Sequence, residues 1–324
     1  MCMVIIMSSK NFVIWLSIMI ALLTILFYRE DVYAYILTNF VYQNEMALQD
    51  ANDYKVYYEY EYVQNVDDYK PKNKDELLNV IYTIVNNGWD SYTFVCDSVY
   101  KNCVDDLNQL FDENYHLSNI NNFVHPYNNF DNIYFIVDSF GFIQVVVDKL
   151  YTKEEIEFMN REVNRIYDSI VMPDMSLYDK VKAIHDYIIN NTDYLQEDEK
   201  DLNGELLFPL STNRAYGLLR YGVSNCVGYT DTMSIFLYKL GLKNYKICSL
   251  MGEIDYSKIY HIWNLVYING SWKHLDLTWD DPVSNKNKKI LTHDYFLISS
   301  SELKKLDVED HSFDYTVYSE AKTN

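Results

Sequence analysis

Cysteine is scarce in this chain, with five in 324 residues. So low a count does not describe a disulfide-stapled scaffold. No Cys-x-x-Cys occurs, which argues against a thiol-redox motif and against the paired thiolates of a structural zinc site. Cys96 and Cys103 are close enough in sequence to be linked or to be two free core residues. Basic residues are also few. Lys and Arg number 27 against 47 Asp and Glu, for a net charge of −20. That balance argues against a nucleic-acid partner, which calls for basic patches. No internal repeat is visible. Asp276, Asp280 and Asp281 cluster, but without the ligand spacing of an EF-hand, and turn formation before Pro282 accounts for the last two. A zinc site built from His261, His274 and Asp276 lacks a fourth ligand. No metal and no cofactor is expected.

Long apolar runs are absent but for one. Asn11 to Tyr28 is uncharged and strongly apolar, preceded by Lys10 and followed by Arg29-Glu30-Asp31. About 18 such residues suffice to cross a bilayer. A signal-anchor helix and a cleaved signal peptide, with Val32-Tyr33-Ala34 as an imperfect small-residue site, both fit. The length of the run and the charges after it favour the anchor. Either reading makes 1–30 an export segment. The catalytic region then stands outside the cytoplasm, at the cell membrane or secreted, with membrane contact through the N-terminal helix only.

Residues 31–74 are acidic and tyrosine-rich and are expected to form a stalk or edge segment, with Tyr54 to Val63 as a strand or a solvated linker. From 75 to 172 helical and strand patterns alternate: helices over Asp75–Asn87 and Val99–Tyr115, strands over Tyr92–Cys96, Asn132–Val137 and Phe142–Val147. This is a small α/β region. Thr152 to Glu155 is a capping-box pattern, and Ser176 caps the next helix. His185 and Asp186 on that helix are given surface or capping roles. The remainder, 173–324, holds the candidate site.

Asn225 is a helix-capping residue, and Met233, Phe236, Leu237 and Leu240 recur at helical spacing up to Gly241. Cys226 thus falls in the first helical turn, where unpaired N–H groups and the helix dipole favour an anion. Cys248, in an apolar strand pattern, reads as a buried structural thiol. Downstream, Tyr260–Ile268 and Ser271–Trp279 flank Asn269-Gly270, the strongest short signal for a type I′ hairpin. Closing the turn there pairs Ile268 with Ser271 and sets Trp263 opposite Asp276 and His261 opposite Thr278. Asp276 becomes the diagonal neighbour of His261 on one face, ~7–8 Å away or less. Cysteine, histidine and aspartate are the parts of a thiol-dependent acyl-transfer site.

These residues resemble the transglutaminase-like superfamily, in particular its secreted bacterial members, over about Ser176 to Ser299. The matching pieces are Lys180 to Ile188, Ala215 to Leu219 with Gly222 to Tyr229, His261 to Val266, Asp276 to Pro282, and Tyr295 to Ser299 as a closing strand. The resemblance implies an α+β fold with a papain-like cysteine peptidase core, its nucleophile helix packed on an antiparallel sheet. It implies Cys226 as nucleophile, His261 as general acid/base and Asp276 as the residue that orients the imidazole. Val227 and Ile262 depart from the Gln and the small residue that many relatives carry there. The expected activity is amide acyl transfer on a protein or peptide, including cell-wall peptide, as a peptidase, deamidase or cross-linking enzyme. The rival is a catalytically silent cell-surface binding module.

Overall fold

Asn, Thr and Ser side chains cap four of the described helices of this α+β chain. The computed structural model describes residues 9–112, 115–195, 213–249, 261–282, 290–306 and 311–323. Tyr260, the start of an expected strand, lies outside them. Helices α1 (Ser9–Phe27) and α2 (Arg29–Ile36) come first and are followed by a π turn, Leu37–Val41. The expected membrane span is not borne out: among the described residues no helix is long and apolar enough to cross a membrane. The side chains from Val13 to Thr24 of α1 are exposed.

Asn73 caps α3 (Lys74–Asn86), accepting from the Glu76 N–H. Leu77, Ile81 and Ile84 of α3 are fully buried, worth about 1.5–3 kcal/mol each. Strands β1 (Ser91–Val95), β2 (Phe130–Val137) and β3 (Phe142–Lys149) form an antiparallel sheet in the order β1-β3-β2. The helix expected over 99–115 is instead two, α4 (Cys103–Asp112) and α5 (Tyr115–Phe123). The Asp97 side chain accepts from the Val99 N–H and holds a turn there, and Cys96 is disulfide-bonded to Cys103.

The tyrosine-rich segment is neither stalk nor strand. Val56, Tyr60 and Val63 are buried in the core that holds α3, β1 and β3, together with Tyr245, Trp263 and Tyr318. Tyr60 Oη donates to the Asn244 carbonyl at 2.7 Å, and Asn86 brackets Val56 with a bond to each of its backbone polar groups. Burial of aromatic area, with the Tyr60 hydroxyl given a partner, outweighs the acidic character of the stretch.

Thr152 and Glu155 form the full capping box at α6 (Lys153–Ile170), and Ser176 caps α7 (Leu177–Asn191). Strand β4 (Asp193–Tyr194) pairs in parallel with β5 (Val223–Ser224), which follows α8 (Ala215–Tyr221). Then come α9 (Cys226–Lys239), β6 (Asn244–Cys248), β7 (Ile262–Ile268), β8 (Ser271–Leu275) and α10 (Ser300–Leu306). β6, β7 and β8 make a second antiparallel sheet in that order. Polar bonds fasten α9 to it. Thr230 Oγ1 donates to the Ile262 carbonyl, Asn264 Nδ2 donates to the Thr230 carbonyl, and a buried Lys246–Asp231 ion pair at 2.7 Å closes the contact. The closing strand expected at 295–299 is a single bridge, His274 with Ile298. Leu297 adopts φ 53°, which breaks an extended run.

Candidate functional site

The nucleophile candidate owes its place to a tight passage from β5 into α9. α8 ends at Gly222, and three residues later Asn225 caps α9 by accepting from the Val227 N–H at 3.1 Å. Cys226 is therefore the first residue of the helix, where the N–H groups lack intrahelical acceptors. A Cβ at Gly228 would lie 1.8 Å from Ser224 Oγ, so only glycine lets the first turn sit this close to β5. Cys226 and Cys248 are both free, half-buried thiols. Burial pushes the Cys248 thiol up to about 11, against a hydrogen bond from Asn122 Nδ2 that favours the anion.

The hairpin has the register expected of its turn. Asn269 and Gly270 take φ 52° and 82°, and the ladder runs from Ile268–Ser271 to Asn264–Leu275. It stops there. The Asp276 N–H donates to the Tyr295 carbonyl instead, and 276–281 form a turn, so His261 does not pair with Thr278. The side chains still meet: His261 Nε2 and Asp276 Oδ2 are hydrogen-bonded at 2.5 Å. Asp276 Oδ1 accepts the Thr278 N–H at 2.9 Å and the Trp279 N–H at 3.2 Å. His311 Nε2 reaches Asp276 Oδ2 at 2.9 Å.

Burial opposes ionisation of Asp276, but the charge and hydrogen bond of His261, then the bond from His311, hold its carboxyl well below the usual carboxylate range. An ionised carboxylate only accepts, so both Nε2 atoms are donors. Burial likewise opposes charge on His261. Asp276, by its charge and its hydrogen bond, and then Cys226 outweigh it and hold the imidazole at about 10. His261 is thus an imidazolium at neutral pH, in reach of both the sulfur and the carboxylate. Trp263 stacks on its ring at 5.6 Å and 18°, and Trp279 meets it edge-on.

Two site residues were not legible in the sequence. Tyr194 pairs with Ser224, two residues before Cys226. Its phenol is pushed up to about 12 by burial and by the negative charges of Cys226 and Asp276. His311 comes from the C-terminal segment, 35 residues beyond Asp276. No periodicity ties either to the hairpin. His274 is not a ligand of the site: it accepts from Trp263 Nε1 at Nδ1, while its Nε2 meets Ser300 Oγ.

His185 is fully buried rather than at the surface. Its Nε2 is 3.1 Å from Asp280 Oδ2 and its Nδ1 is 2.9 Å from Asp186 Oδ1. Asp280 and Asp281 do more than turn the chain. Asp280 also accepts from Thr292 Oγ1 and the Tyr295 N–H, and Asp281 accepts from Tyr229 Oη of α9. One acidic turn therefore fastens β7 through Asp276, α7 through Asp280 and α9 through Asp281. Two groups bring metal-ligating atoms within 4.8 Å of one another: His185, Asp186 and His293, and His261, Asp276 and His311. In the first, Lys182 Nζ already stands 2.7 Å from Asp186 Oδ2 and 2.9 Å from His293 Nε2, where a metal cation would lie. In the second, the imidazoles direct protons at the carboxylate.

Residues 164–277 match the family model of the transglutaminase-like superfamily. The chain carries a transglutaminase-like domain. The matched stretch contains Cys226, His261 and Asp276, and His311 lies beyond it. Among solved structures, one described as a TGase is similar, at 16% identity and a TM-score of 0.32, over 61% of this chain and 54% of that one. A candidate cysteine protease from Cytophaga hutchinsonii gives 13% identity and a TM-score of 0.28, over 49% of this chain and 65% of that one. A candidate protease from Parabacteroides distasonis gives 11% and 0.28, over 45% and 36%. This chain thus spans about half the length of the first of these structures. Superpositions this loose define no shared fold, and the assignment rests on the match at 164–277. Among curated proteins none matches.

Proposed function

We propose that the transglutaminase-like domain is a thiol-dependent enzyme of amide acyl transfer that uses Cys226, His261 and Asp276. The observation that carries this reading is the His261 imidazole, hydrogen-bonded to the Asp276 carboxylate and beside the thiol at a helix mouth. An imidazolium beside sulfur stabilises its anion. The thiolate attacks an amide carbon, and the C–N bond breaks as His261 gives its proton to the departing amine. His261, now neutral, takes a proton from water or from an acceptor amine, which attacks the thioester and frees the sulfur. Asp276 keeps the ring in one tautomer throughout. The Cys226 N–H and the Tyr194 hydroxyl are the two donors for the oxyanion. A phenol at about 12 stays protonated and able to donate.

With water as acceptor the enzyme is a peptidase or deamidase; with an amine it cross-links. The substrate class is protein or peptide, cell-wall peptide included. The Cys96–Cys103 disulfide supports a location outside the cytoplasm. The test is alkylation of the full chain with iodoacetamide at neutral pH, followed by peptide mapping. Cys226 is expected to react at least tenfold faster than Cys248, whose thiol at about 11 is over ~99% protonated at that pH. Equal rates at the two cysteines would refute the reading.

A further inference from the structure

The Asp276 carboxylate is shared. His261 takes one side of Oδ2 and His311 the other, while Oδ1 is filled by the Thr278 and Trp279 N–H groups. We propose that His311 is a positioning residue that sets the basicity of His261 by competing for the same carboxylate oxygen. This rests on the triad reading above and adds a fourth member to it.

The placement of His311 is over-determined. Its ring stacks on Tyr295 at 5.1 Å and 19°, and meets Trp263 at 4.8 Å and Trp279 at 5.2 Å. The same two tryptophans line His261. The aromatic box fixes both imidazoles on one carboxylate, with the His261 and His311 rings crossed at 87° and 5.3 Å apart. His311 and Asp276 are both buried, so the bond is shielded from water and its electrostatic effect is strong.

The consequence follows from charge. A carboxylate that accepts a second N–H offers less of its charge to the first imidazole, and an imidazolium at the second position would repel the first. Either protonation state of His311 therefore lowers the basicity of His261, which makes it easier for the ring to release its proton to the departing amine. Among the described residues, the groups that face His261 are few. Cys226 comes from α9, Asp276 from the turn after β8 and His311 from the C-terminal segment. Behind them, Tyr194 of β4 interacts with Cys226 and Asp276. Tyr295 stacks on His311, and His274 of β8 is held neutral, at about 3, by burial and by His311.

The test uses the full chain labelled with 13C-histidine, and follows the His261 ring by NMR as pH is varied. His311→Phe keeps the aromatic packing and deletes the proton donor. It is expected to raise the His261 midpoint by about one pH unit, the effect of losing one charge-assisted hydrogen bond. His311→Gln keeps an N–H donor and is expected to return the midpoint to within a few tenths of a unit of wild type. A His311→Phe midpoint equal to wild type, or an equal shift in His311→Gln, would overturn the inference. The titration is read on His261 itself. A wild-type Cys226 that alkylates no faster than Cys248 would defeat the triad reading and leave the His311 result readable.

Discussion

His261 and His185 are both buried against carboxylates, and among the described residues only His261 has a thiol beside it. His261 lies between Asp276 and Cys226; His185 lies between Asp280 and Asp186. In both, burial disfavours the charged imidazole and neighbouring carboxylates more than compensate. What differs is the rest of the surroundings. Around His261 there is a thiol at the first turn of a helix, beside the short parallel bridge that carries Tyr194. Around His185 there are Lys182, His293 and the Phe296 ring, and no nucleophile among the described residues. A buried His–Asp pair is thus a fastening first. It becomes a site when a nucleophile is placed within its reach. The acidic turn supplies both pairs, Asp276 to one and Asp280 to the other, so the comparison can be broken by single substitutions only a few residues apart.

The largest effect is expected at the reactive end. Asp276→Asn removes the charge that holds His261 at about 10, so the imidazole falls back toward its ordinary value and the ring loses its tautomer control. Turnover on an amide substrate, read as ammonia release or peptide cleavage, should fall on the order of 10⁴-fold. Circular dichroism should show the fold retained, because asparagine can still accept from the Thr278 and Trp279 N–H groups. Full activity in the variant would place His261–Asp276 with the fastenings.

Asp280→Ala probes the other pair. It strips a fully buried carboxylate from His185, Thr292 and the Tyr295 N–H, and should cost about 3 kcal/mol in urea unfolding. The Cys226 alkylation rate of the folded fraction should be unchanged. The pH dependence has a fixed sign. His185 is raised above its unfolded value, so its contribution is complete below about pH 6.5 and fades as pH climbs through the raised folded value. The stability gap between wild type and variant should therefore narrow toward alkaline pH. A gap constant with pH would mean that the imidazole is not charged in the fold.

The sequence revealed the His261–Asp276 pair better than the His185–Asp280 pair, and the reason is local. Asn269-Gly270 dictates the turn, the turn dictates the register as far as Asn264–Leu275, and Asp276 follows directly on that last pair, where its side chain meets His261. Asn225 dictates where α9 starts, and so puts Cys226 at its mouth. Each step spans only a few residues. His185 and His311 depend on contacts across 95 and 35 residues that no period encodes. The acidic, tyrosine-rich stretch misled for a related reason. Its charges suggested a solvated segment, whereas Tyr60 packs against Phe123 and Tyr245 and donates to Asn244 far along the chain. Composition reports average polarity, and burial is decided by the side chains that find partners.

The smallest effect separates the two helices that carry the pairs. α9 and α7 have side-chain caps, Asn225 and Ser176. Asn225→Ala and Ser176→Ala should each cost about 1 kcal/mol of stability by losing the bond to a first-turn N–H. Their effects on the thiol should differ. Losing the Asn225 cap loosens the turn that presents Cys226, and iodoacetamide trapping should slow by about threefold, the counterpart of a few tenths of a kcal/mol at a helix end. Ser176 starts a helix whose histidine lies deep within it, so Ser176→Ala should leave trapping at the wild-type rate. If both variants slowed trapping alike, the rate would be following global stability, and the first turn of α9 would have no special hold on the sulfur.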